Sequence, residues 1–70
     1  MKIFSRDVVS QVKDMNETLQ NVSQIKSASD KESLKEKSSK VAFLASNLTG
    51  DDLEEVEDVI QENKKLTETI

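Results

Sequence analysis

The stretch Leu48-Thr49-Gly50-Asp51-Asp52-Leu53-Glu54-Glu55-Val56-Glu57-Asp58-Val59-Ile60 holds the only glycine of the chain and its densest block of charge. Thr49 and Asp52, three residues apart, have the spacing of a capping pair. In such a pair the threonine hydroxyl accepts from a backbone N–H of a new helix, and the carboxylate faces back toward it. Gly50 supplies the freedom needed for a reversal, and Asp51, Asp52, Glu54 and Glu55 set negative charge against the positive end of the helix dipole. A helix therefore starts at about Asp51, and the one before it stops by Leu48. This acidic block is either only a well-capped helix start or, through Glu54, Glu57 and Asp58 past the cap, an acidic face for docking another protein.

Outward from this turn the whole chain reads as helix. It has no proline and one glycine, and it is rich in Lys, Glu, Gln and Leu. From Val8 the apolar residues fall at Val8, Val12, Met15, Leu19 and Val22, a 4-3-4-3 seam flanked by Phe4, Val9 and Ile25. This pattern predicts a first helix from about Ser5 to Lys26. Ser27-Ala28-Ser29-Asp30 is small and polar, and Ser29 or Asp30 can cap a second helix over about 31–48. The first half of that helix is solvated, with only Leu34 to bury. Its second half carries Val41, Phe43, Leu44, Ala45 and Leu48 over more than one face, so Val41, Phe43 and Leu44 are expected to offer a contact between chains. A third helix over about 51–69 turns Leu53, Val56, Val59, Ile60, Asn63 and Leu66 inward. Asn63 on this seam either fixes register or oligomer state, or is simply hydrated near the chain end.

The fold expected is all-α and forms one helical domain over residues 1–70, either a small three-helix bundle or a helical hairpin. Only 34% of the residues are hydrophobic and 3% aromatic, so the core of a 70-residue chain of this kind is small. Small domains in this position add a disulfide, a metal or a partner chain, and without cysteine or histidine the first two are closed. Self-association into a larger helical bundle, or a partner protein, is the expected remedy.

The chemistry that is missing narrows the function. Without His or Cys, Ser-His and Cys-His nucleophile systems are excluded, and one glycine cannot build a phosphate-cradling loop. Carboxylate pairs such as Glu54 with Asp58 sit on a solvated face, where neither acid–base work nor a metal site is favoured. No catalytic residue, cofactor or metal is therefore expected. Direct nucleic-acid binding is disfavoured, because the third helix presents carboxylates where phosphate would need Lys or Arg. Residues 1–40 hold eight basic groups against six acidic, and residues 41–70 hold two against eight. The start of the third helix should thus be left largely uncompensated and should suit a partner with a basic surface. The stretch from 1 to 25 is too charged for a secretory signal or a membrane span, so a cytoplasmic protein is expected.

These readings converge on a small acidic protein that works by protein–protein binding, as a regulator, inhibitor or adaptor of the kind phages and mobile elements encode. A structural self-assembling module is the alternative. The tripeptide Leu48-Thr49-Gly50 also resembles the Trp-x-Gly or Leu-x-Gly turn of small helical-hairpin proteins exported by Gram-positive secretion systems. Such a resemblance implies export and a co-encoded partner. This chain is shorter than those proteins and has no tyrosine-containing export signal at its C-terminal end.

Overall fold

The computed structural model describes the backbone of residues 3–70 and the side chains of residues 5–70, so the expected place of Phe4 beside the first seam lies outside the described side chains. Three helices pack on one another: α1 (Ile3–Gln20), α2 (Ala28–Ala45) and α3 (Gly50–Glu68), with a single 3-10 turn at Val22–Gln24 between α1 and α2. The all-α bundle read from the sequence is the fold adopted. Its Cα envelope is 38 × 21 × 15 Å.

The first helix ends earlier than its apolar seam does. Asn21 Nδ2 donates to the Glu17 carbonyl at 3.1 Å, and the Asn21 amide bonds Thr18, three residues back. An asparagine that competes for backbone in this way tightens the last turn and closes the helix. Val22 and Ile25 remain in the core margin through the 3-10 turn. The second helix starts three residues before the expected Lys31, because Ser27 rather than Ser29 or Asp30 is the cap. Its hydroxyl accepts from the Asp30 amide. At the other end Ser46 Oγ and Asn47 Nδ2 both donate to the Phe43 carbonyl, at 2.6 and 3.4 Å, and these bonds end α2 at Ala45, short of Leu48.

The turn into α3 corrects one detail of the sequence reading. Thr49 stands in the N-cap position with extended backbone, but its hydroxyl makes no capping bond. Asp52 is turned sideways to Arg6 of α1 instead of back toward Thr49. Gly50 takes φ +61, the left-handed region, and a Cβ there would meet nothing within 4 Å. Glycine is needed for the backbone angle and not for space.

Register is set by polar pairs across the helices. Arg6 reaches Asp52 toward the start of both helices, and Asn16 reaches Glu62 and Asn63 toward the end of both. Contacts that advance together along the two helices mean that α1 and α3 run parallel. The short connection 46–49 turns α2 antiparallel to both. The core is α1's seam of Val8, Val9, Val12, Met15 and Leu19 against Leu34, Val41, Ala45 and Leu48 of the α2 segment and Val56 of α3. Val12, Leu19 and Val56 are 0% exposed, and each such side chain contributes roughly 1.5–3 kcal/mol by leaving water. The α1–α3 pair is the most closely packed and α2–α3 the least.

Candidate functional site

The inward face of α2 is Leu34, Ser38, Val41 and Ala45, continued by Leu48 in the turn that follows, a 4-3-4-3 spacing like that of α1 but made of smaller side chains. Ser38 and Ala45 cannot span the distance that two leucines would. A groove of about 490 Å³ is therefore left between α2 and α3, open along one side. Val41, Ala45 and Leu48 line it from the α2 side and Leu53 and Ile60 from α3, with Val12 of α1 at its base. Leu53 and Ile60 are only half-buried.

A chain of hydrogen bonds crosses the groove floor. Asn63 is 8% exposed. Its Nδ2 donates to the Val12 carbonyl at 3.1 Å, and its Oδ1 accepts from Asn16 Nδ2 at 2.9 Å. Thr67 Oγ1 donates to the Asn63 carbonyl at 2.7 Å and lies 2.6 Å from Ser38 Oγ. With the threonine proton engaged, the serine hydroxyl is the donor of that last bond. Gln20 Nε2 donates to Asn16 Oδ1 and completes the chain. Among the described residues no buried side-chain nitrogen or oxygen lacks a partner. The floor is thus polar but satisfied. Among the described residues no group of three or more carboxylates is placed to hold a metal ion.

The acidic block divides into two faces. Arg6 Nη1 bonds Asp52 Oδ1 and Glu55 Oε1, each at 2.9 Å, and Lys13 Nζ bonds Glu55 Oε2 at 2.7 Å. The expectation that the start of the third helix is left largely uncompensated does not hold on this side, because α1 delivers two cations to it. The hydrogen bond from Arg6, reinforced by that from Lys13, holds the Glu55 carboxyl down at about 2. Asp52 is lowered by the same guanidinium, with Ser5 adding to the effect, and Arg6 is raised in return. Glu54 and Glu57 lie on the other side of α3 and Asp58 one turn on from Glu55, all three exposed and without an ion pair among the described residues.

The expected apolar contact also divides. Val41 is 5% exposed and belongs to the core, reaching outward only through the groove, so it does not share an exposed face with Phe43 and Leu44. Phe43 is 72% exposed and Leu44 37%. Two residues after Val41 on a helix, Phe43 points to the side of α2 away from the core. The polar members of the floor other than Asn63 were not anticipated. Ser38 and Thr67 carry a signal only as mid-seam positions, four residues from Leu34 and from Asn63. No helix among the described residues is long and apolar enough to cross a membrane. Comparison with known protein families, curated proteins and solved structures finds no match.

Proposed function

We propose that this chain acts by binding another protein, as a non-enzymatic regulator, inhibitor or adaptor, and that the groove between α2 and α3 is the contact. The observation that carries this reading is the groove itself, about 490 Å³ with Val41, Leu48, Leu53 and Ile60 along it, on a chain without histidine or cysteine. Such a recess accepts the apolar edge of a further helix, the mode in which an amphipathic helix lies in a groove. Glu54 and Glu57 stand beside it, since they precede groove-lining Gln61 by seven and four residues on α3. They favour a partner with basic residues and give the encounter its electrostatic steering.

Reversing the charges at Glu54, Glu57 and Asp58 tests this. A partner captured with the wild-type chain and then purified should bind the triple variant at least about tenfold more weakly, mainly through a slower association rate. Helicity and melting should stay near those of the wild type, because solvated helix positions contribute only tenths of a kcal/mol each. Undiminished binding by the triple variant, together with its loss on Phe43→Ser, would move the contact to the outer face of α2 and end the groove reading.

A further inference from the structure

We infer that the segment the groove takes is an amphipathic helix of the partner with its charge segregated, basic at the end that lies beside Glu54 and Glu57 and acidic at the end that lies beside Lys35 and Lys64. This rests on the reading of the groove as a protein contact and names the chemistry of its occupant.

The walls of the groove, α2 and α3, are antiparallel, so their dipoles oppose one another and side-chain charge decides the polarity along it. The Ser38–Thr67 hydrogen bond joins the two walls and gives them a common level. At 1.5 Å per residue, Val41 lies about 4.5 Å above that level, Ile60 about 10.5 Å and Leu53 about 21 Å. The apolar lining is thus about 16 Å long, three turns of helix, which apolar residues at i, i+4, i+7 and i+11 of a partner helix cover.

Charge is uneven along this length. In the upper half Glu57 stands about 15 Å and Glu54 about 20 Å above the marker, on the stripe of α3 that groove-lining Gln61 and Lys64 continue. The α2 wall across from them is Ala42 and Ser46, which carry no charge. In the lower half Lys64 lines the groove from α3 at about 4.5 Å above the marker. Lys35 lies about 4.5 Å below it, four and seven residues before groove-lining Ser39 and Ala42, with Lys31 one turn further down. Glu68 also lines this half, between Lys64 and Lys35 in height, and offsets one of them. Glu32 and Glu36 are set outward of Lys35, around a shallow hollow shared with Lys40. None of Lys31, Lys35, Glu54, Glu57, Lys64 and Glu68 is in an ion pair among the described residues.

The groove therefore has an acidic end and a basic end, both with charge free to meet a partner. A uniformly basic helix suits Glu54 and Glu57 but meets like charge at Lys64, Lys35 and Lys31, and a uniformly acidic one meets it at the other end. A helix with its charge segregated is matched at both.

Two synthetic peptides of about 18 residues test this, alike in composition and in a seam of leucines at i, i+4, i+7 and i+11. In one the glutamates fill the first two turns and the lysines the last two, the order a helix dipole favours; in the other the two charges alternate. Each is titrated into the full isotope-labelled chain to about 1 mM and followed by NMR, a range that covers weak binding. The segregated peptide should bind the wild type about tenfold more tightly than the alternating one, the sum of a few exposed ion pairs. Glu54→Lys together with Glu57→Lys should remove that preference. The helicity of each free peptide is the same whichever chain it meets, so the change in preference between the two chains isolates the order of charge. A nitroxide on the lysine end should broaden the amides around Leu53 and leave those around Thr67 sharp. Circular dichroism checks that the double variant keeps its helicity. Equal binding of the two peptides by the wild type, or a lysine-end label that broadens Thr67 instead of Leu53, would overturn the segregated charge while leaving the groove as a protein contact. Failure of both peptides to shift the groove resonances at about 1 mM would overturn an amphipathic helix as the occupant.

Discussion

Asn63 gives the sharpest test of how the floor of the bundle is held. Substitution by alanine removes two neutral hydrogen bonds, to the Val12 carbonyl and from Asn16, each contributing roughly 1 kcal/mol net. It also leaves a small void at a buried position, so Asn63→Ala should cost about 2–3 kcal/mol. For a domain of this length that lowers the melting temperature by roughly 8–24 °C. Asn63→Leu removes the same bonds but refills the space with apolar atoms. Neither former partner is orphaned. Asn16 keeps Glu62 and Gln20, and the Val12 carbonyl keeps its place in the helical ladder. Leucine should therefore cost less than about 1 kcal/mol or stabilise. The measure is urea unfolding followed by circular dichroism, all variants at one protein concentration, because any self-association makes stability depend on concentration. A leucine variant as unstable as the alanine one would refute the view that Asn63 serves arrangement more than stability. An alanine variant within about 0.5 kcal/mol of the wild type, the scatter of ordinary surface changes, would instead show that the two hydrogen bonds contribute nothing measurable to stability.

Two further expectations concern the α3 entrance. Glu55 is held at about 2 against an ordinary 4.5, and Asp52 is lowered from 3.8. Carboxyls depressed in the folded state contribute stability above their unfolded values and lose it as pH falls through the folded ones. The melting temperature should thus drop between about pH 4.5 and 2, and Glu55→Gln or high salt should flatten that part of the profile. A profile unchanged by Glu55→Gln would show that Arg6 and Lys13 do not hold it in solution. Gly50→Ala should cost about 1–2 kcal/mol in the same urea assay, wholly from the left-handed backbone, since the added methyl meets no neighbour. No loss would mean that the turn is made another way.

What the sequence let one read follows from how each residue signals its place. The α1 seam was legible because Val8, Val12, Met15 and Leu19 are apolar at strict heptad spacing, and apolar periodicity is the one signal that survives without knowledge of neighbours. Helix existence and fold class followed from it. The ends did not, because they are set by single side-chain bonds, Asn21 to the Glu17 carbonyl and Ser27 to the Asp30 amide, among many Asn and Ser that could do the same. Asp52 was read as half of a capping pair since the local spacing fits. It goes to Arg6 because α1 and α3 lie parallel in register, a tertiary fact 46 residues away in sequence. The acidic face was visible as composition, but its division into a neutralised and a free side depends on that same register. That Val41 and Phe43 face different ways was legible from their spacing of two residues on a helix, but which of them faces the core depends on how α2 is rotated against α1 and α3.

The groove has a physical origin in the same seam that made the fold readable. On α1 the inward positions are filled by Val, Met and Leu, and that helix is packed closely against α3. On α2 two of the five inward positions are Ser38 and Ala45, and the α3 residues across from them include Asn63 and Thr67. Hydrogen bonds link Ser38, Thr67 and Asn63, yet these side chains and Ala45 bring little apolar volume, so the α2–α3 side cannot close as the α1–α3 side does. A partner entering there meets a floor whose polar groups are already satisfied and gains nothing from them directly. On the reading of the groove as a protein contact, binding free energy would come from the half-buried flanks, Leu53 and Ile60, and orientation from the charge beside it, Glu54 and Glu57. Such an interface is sensitive to salt in its rate and to the length of its apolar flanks in its affinity. On the reading of the groove as the contact, enlarging its wall by Ala42→Leu would block entry of a partner helix while adding apolar surface, so that more hydrophobicity in the groove would weaken binding of the captured partner instead of strengthening it.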